Sequence, residues 1–139
     1  VQTCALPIFY NVTLSVSEEV HERWLAWMKG THVPDVLGTG CFEWAKLLRV
    51  HAFEQGGLTY AVMYCASSME EYERYVAAHS SRLQAEHDAL YKDTVVAFRT
   101  MLEVLQEFSP KINPSPLEAQ LNSSYLSTAL KSFVAKNVL

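Results

Sequence analysis

The polar and apolar positions of this chain first fall into register at Tyr10, Val12, Leu14 and Val16, which alternate strictly with Asn11, Thr13 and Ser15. A period of two over seven residues predicts a strand with one buried face. Ser17 follows as the expected N-cap of a helix, and Glu18 and Glu19 place negative charge in its first turn, where the helix dipole favours it. Val20, Trp24, Trp27 and Met28 then recur at i, i+4, i+7 and i+8, the buried stripe of that helix. Gly30 weakens the run and Pro34 disfavours helical geometry at Val33. A break is expected between them, with one more turn over residues 35–38.

Gly40 introduces residues 41–53, aromatic and branched at both ends, which predict a long second strand. Residues 54–57 (EQGG) are a turn signal, and residues 58–65 resume as a strand, so the pair predicts a β-hairpin. Ser68 and Glu71 form a Ser-x-x-Glu capping box. Along the helix it starts, Tyr72, Val76, His79, Leu83, His87 and Leu90 share one face, and Ser80-Ser81 is a point where it could divide. Residues 94–105 predict the last strand, with Val96, Phe98, Leu102 and Val104 turned to the helices and Arg99, Met101 and Glu103 turned away. Pro110, Pro114 and Pro116 mark a linker, and Leu117, Leu121, Tyr125, Ala129, Leu130 and Phe133 suggest an amphipathic helix after it.

Strand, helix, hairpin, helix, strand is the βαββαβ order of the ferredoxin-like fold: α+β, a four-stranded antiparallel sheet with both helices on one face. The helices are expected to cover Val12, Leu14, Phe98 and Leu102. The other face, with Asn11, Thr13, Arg99 and Met101, then has no cover within the chain, and a second copy is the expected cover. The domain spans residues 9–107, and 108–139 form the linker and C-terminal helix. Residues 1–8 (VQTCALPI) resemble the in-frame translation of a common sequencing-library adapter and are set aside from the fold.

Composition narrows the partners. The formal charge of -4 and the lack of a Lys/Arg cluster argue against nucleic acid. No apolar run reaches the ~20 residues that span a bilayer, so no membrane partner is expected. Three cysteines without metal-like spacing point to reduced thiols, a cytoplasmic setting and no metal site. Gly-rich phosphate loops, Gly-x-Ser-x-Gly elbows and His-Glu-x-x-His helices are all missing from the sequence.

Residues 10–13 (YNVT), 24–37, 40–42 (GCF), 59–62 (TYAV), Tyr72, His79 and 96–100 (VAFRT) together resemble the bacterial domain-of-unknown-function family 4286, over roughly residues 9–107. The resemblance implies a ferredoxin-like subunit of the dimeric α/β-barrel type, an architecture shared with cofactor-free monooxygenases, muconolactone isomerases and haem-binding decolorising enzymes. It implies no activity.

The candidate chemistry centres on His32. It lies just past the expected helix break, and an unperturbed pKa near 6.5 suits it to proton transfer; a structural alternative is that it satisfies carbonyls freed at the helix end. His79 and His87 stand ~12 Å apart along a helix, too far to share a metal unaided, so no cofactor is expected, with haem as the open alternative. Trp27 could line an aromatic site or be core, and Trp44 could be core or interface. Arg99, taken to lie beside Asn11 and Thr13, could hold an anion or pair with Glu43 or Glu103. The expectation is therefore a homodimer binding a small aromatic or anionic molecule near His32, with Asn11, Thr13, Arg99, Trp27 and His79 as ligand contacts. The alternatives are a cofactor-independent monooxygenase or isomerase with His32 catalytic, and a structural dimerisation module without a ligand.

Overall fold

β1 (Ile8–Ser17) runs through the middle of a four-stranded antiparallel sheet whose order is β2-β3-β1-β4, with β2 at Trp44–Val50, β3 at Gly57–Ala66 and β4 at Val95–Glu103. The computed structural model describes residues 6–51 and 56–111 together with residues 117 and 128. Tyr10 pairs with Tyr64, Val12 with Val62 and Leu14 with Tyr60, so the alternation read from β1 continues into β3 and builds one apolar face. Two helices cover that face, the ferredoxin-like arrangement. Ile8, the last residue of the adapter-like stretch, opens β1 and is paired on both sides. Val1–Glu107 and Phe108–Leu139 are two compact units. The expected C-terminal helix, the adapter-like residues before Leu6, residues 52–53 of the expected second strand and residues 54–55 of the turn lie outside the described residues, apart from residues 117 and 128.

The first helix departs from expectation at both ends. Ser17 does not cap it: its carbonyl accepts from the Val20 amide at 3.1 Å to close a turn, and the helix begins at His21. Nor does it break before Pro34. His21–Trp27 leads into a π-helical turn, Met28–His32, and on into Val33–Gly38. The Val33 amide bonds to the Met28 carbonyl, five residues back. That wider turn loosens the backbone where the proline ring would otherwise meet the preceding turn, and Pro34 falls at the start of the last α-helical piece, where a missing N–H costs little. The second helix behaves alike. Ser68 caps it, accepting from the Glu71 amide, and Met69–Tyr75 and Ser81–Tyr91 are joined by a π turn, Val76–Ser80, not separated at Ser80-Ser81.

β2 is shorter than expected, because Gly40, at φ +76°, turns the chain and Cys41 and Phe42 pack into the core before the strand begins. β4 holds the main correction. It is displaced by one residue from the expected facing: Val95, Ala97, Arg99 and Met101 share the helix side with Val16, Leu14, Val12 and Tyr10, while Val96, Phe98, Thr100 and Leu102 face away. Both alternations in β4 are apolar enough to be buried, so the preceding turn decides. The Thr94 amide and hydroxyl both reach the Tyr91 carbonyl, and the Ser17 amide bonds the Thr94 carbonyl at 2.9 Å, which sets Val95 opposite Val16.

The core lies between helices and sheet, with Trp24, Leu83, Val16, Val36 and Val62 its largest fully buried side chains. Outside, Val96 and Phe98 are 73% and 66% exposed, Leu102 is exposed on the same strand, and Leu48 is exposed on the same face at the opposite edge of the sheet. The open face of the sheet is thus more apolar than expected.

Candidate functional site

Correcting β4 moves Arg99 from the open face to the covered one. On that side its neighbour is Tyr10: Arg99 Nε donates to the Tyr10 hydroxyl at 3.1 Å. Among the described residues no carboxylate pairs with Arg99, so the alternative of an ion pair with Glu43 or Glu103 is not realised there. Arg99 and Tyr10 form one wall of a cavity of about 30 Å³ between the sheet and the two helices. A space of that size holds about one or two waters.

The opposite wall is made by histidines. The π turn delivers His32 to the cavity from the first helix, and α-helical spacing delivers His87 from the second. Their rings meet edge to face at 5.8 Å, and Trp27 stacks on His32 at 5.1 Å. His87 is fully employed: Trp24 Nε1 donates to its Nε2 at 3.0 Å. An indole N–H can only donate, so this nitrogen must accept and the ring's proton resides on Nδ1, towards Asp88 at 3.7 Å. His32 is the reverse case. Its buried Nδ1 has no hydrogen-bond partner among the described residues. An orphaned buried polar atom costs ~1–3 kcal/mol, which natural cores rarely tolerate without a use for it.

Burial sets the protonation states. It is the main cause that holds His32 down to about 4, with His87 nearby adding to the shift and Asp35 opposing it. His87 is lowered for the same first reason, against the pull of Asp88. Both imidazoles are therefore neutral at pH 7. Burial also raises Tyr10, although the Arg99 charge works against it, and it raises Tyr64 and Tyr75. The phenols are present as O–H donors.

The remaining sequence candidates disperse. Trp27 backs His32 without lining the cavity, and Trp24, entirely buried, is a core residue with one polar duty. Asn11 and Thr13 bond each other at 3.2 Å on the open face, away from Arg99. His79 lines a separate, shallow depression of about 380 Å³ with Asp35, Thr39 and Arg82. Sequence reasoning passed over Tyr10, Tyr64, Tyr75 and Gln84, all lining the cavity. The signal available was position: Tyr10 and Tyr64 occupy inward places of two adjacent strands, where a hydroxyl needs a partner.

A family model described as Domain of unknown function (DUF4286) matches residues 7–105. The chain belongs to that family. No curated protein matches it. Among solved structures, a dimeric ferredoxin-like protein from an uncultured marine organism superposes with a TM-score of 0.57 at 13% identity, covering 74% of this chain and 99% of its own. SnoaB, a cofactor-independent oxygenase from Streptomyces nogalater, gives 0.56 at 10% identity over 76% of this chain and 100% of its own. A monooxygenase from Streptomyces coelicolor in complex with Nanaomycin D gives 0.54 at 15%, over 76% and 94%. At these identities the likeness is one of fold. Within that fold, this DUF4286 domain puts Arg99, Tyr10 and Tyr64 on the sheet side of a cavity and, on the helix side, Tyr75 and an imidazole whose Nδ1 has no partner among the described residues.

Proposed function

We propose that this DUF4286 domain binds a small molecule between its helices and sheet, with His32 as the polar contact on the helix side and Arg99 and Tyr10 on the sheet side. The observation that carries this is the orphaned Nδ1 of His32, buried at the edge of a cavity whose other wall is a cation and a hydroxyl. A neutral imidazole held to about 4 is a weak base at pH 7 but a sound hydrogen-bond partner, which places binding ahead of catalysis. Met28 and Gln84, both unbranched and at the cavity, are the side chains that can yield to a guest larger than water. Among the described residues no three His, Cys, Asp or Glu side chains gather to hold a metal.

We further propose that the protein works as a homodimer closed over its open sheet face. Val96, Phe98, Leu48 and Leu102 supply the apolar patch, and a dimeric ferredoxin-like protein is among the folds it resembles. Among the described residues no helix is long and apolar enough to cross a membrane. Cys41 and Cys65 are free thiols, which fits the reducing cytoplasm.

The second reading is a cofactor-independent oxygenase or isomerase. It is favoured by the fold of SnoaB and would give His32 the task of taking a proton from a substrate hydroxyl. The test follows the His32 ring of the wild type by NMR while small carboxylates, amides and quinols are added, and measures binding of the same compounds to wild type and His32→Ala by calorimetry, with oxygen uptake recorded in parallel. Binding that perturbs His32 and is lost in the variant supports the first reading; turnover lost in the variant supports the second. Ligand binding and turnover unchanged in His32→Ala would remove His32 from both.

A further inference from the structure

The sheet side of the cavity contains more donors than a water needs. Tyr10 comes from β1, Tyr64 from β3 directly across from it, and Tyr75 from the second helix. Their rings lie together, Tyr10 being 5.8 Å from Tyr64 and 6.0 Å from Tyr75, and all three line the cavity. Arg99 reaches into the same group, its Nε on the Tyr10 hydroxyl, and it also acts electrostatically on Tyr75. Arg99 donates to the Tyr10 oxygen, and the Gln84 side chain is a second hydrogen-bond neighbour of that hydroxyl. A guanidinium has five N–H donors and one is used here, so further donors remain beside three phenolic O–H groups. The cavity is therefore rich in donors and carries one positive charge, and among the described residues no carboxylate lines it.

Resting on the small-molecule reading above, we propose that the ligand is an oxyanion of low mass, a carboxylate or enolate, whose negative oxygens are held by Arg99 and by the hydroxyls of Tyr10, Tyr64 and Tyr75, while His32 Nδ1 hydrogen-bonds its far end. Charge-assisted bonds to a guanidinium are roughly twice as strong as neutral ones. The phenols supply O–H donors without adding charge, so the site neutralises a single negative charge and no more. A neutral ligand would leave the donors of Arg99 without an ionic partner. A dianion would bring one charge too many into an apolar layer.

The experiment uses two isosteric pairs, acetate against acetamide and benzoate against benzamide, titrated into the full chain with the His32 ring and the Arg99 Nε–H followed by NMR. Each carboxylate is expected to bind at least tenfold more tightly than its amide, shifting both signals. In Arg99→Gln that preference is expected to vanish while the fold, checked by amide spectra, is kept, because Arg99 is exposed and only the Tyr10 contact is lost. Tyr10→Phe, which keeps the ring packing, is expected to weaken carboxylate binding several-fold and leave amide binding unchanged. If the amides shift His32 as strongly as the carboxylates, the oxyanion assignment falls and the small-molecule site stands. If neither member of either pair perturbs His32, both fall. A carboxylate preference that survives in Arg99→Gln also overturns the assignment.

Discussion

The two faces of the sheet invert the usual expectation for a strand's sides. The covered face of β4 presents Ala97 and Arg99, whereas its open face presents Val96, Phe98 and Leu102. A chain folding alone would gain more by burying the second set. The turn at Tyr91 and Thr94 holds it outward, and the covered face carries a guanidinium beside a cavity. On the reading proposed above, one side of the sheet meets a second copy of the chain and the other a small solute.

The strongest way to break this comparison is to charge the open face. Phe98→Asp is expected to convert the dimer into a monomer, the mass by light scattering at micromolar concentration falling from twice 15.7 kDa to 15.7 kDa. An unpaired carboxylate in an apolar interface costs several kcal/mol, more than a hundredfold in the dissociation constant. Binding at His32 should persist if the two faces act separately. A wild type that is already monomeric would end the dimer proposal.

The pattern of β1 was enough to find the strand and its facing, and the order of elements was enough to name the fold. What escaped was single-residue register. In β4 both alternations carry apolar side chains, and the facing shows only in the Thr94 hydrogen bonds and the pairing with β1. In the first helix Gly30 and Pro34 were read as a break because local propensity favours one, but a π turn satisfied the backbone more cheaply and tertiary packing against Trp24 and Val36 held it. His32 was legible as a residue of interest; its opposition to Arg99 was not, because that depends on the β4 facing. The three phenols were invisible as a group because they come from three elements.

The covered face should respond to acid, whereas the open face carries no buried imidazole. His32 is lowered from 6.5 to about 4 in the folded protein, and His87 is lowered too. In the interval between those values the unfolded chain binds more protons than the native one, so stability rises with pH there. It is fully present above about 6.5, and falls progressively as pH drops towards 4. A shift of this size on a mostly buried group amounts to ~2–3 kcal/mol. Urea midpoints from pH 7.5 to 4 measure it. A flat profile would mean that His32 is far more solvated than its place in the fold implies.

Smaller still is the link between the helices. Trp24→Phe keeps the aromatic bulk but leaves His87 Nε2 without its donor, and a loss of ~1–2 kcal/mol is expected. The His87 tautomer, no longer fixed by the indole, should become mixed, which shows in the imidazole nitrogen shifts. Unaltered nitrogen shifts would mean that another group fixes the tautomer.

The smallest effect on stability is the most informative about the site. His32→Leu fills nearly the same volume, keeps the contact with Trp27 and removes the buried nitrogen that has no partner among the described residues. Replacing an unsatisfied polar group by an apolar one of similar shape is neutral or stabilising, so the variant should be equal to the wild type at pH 7, or up to ~1 kcal/mol more stable. It should also lose most of the stability change between pH 6.5 and 4, leaving only the part owed to His87. Carboxylate binding is expected to drop at least tenfold in the same variant. A clear loss of stability at pH 7 with binding intact would instead make His32 a structural residue and move the candidate site away from the helix side of the cavity.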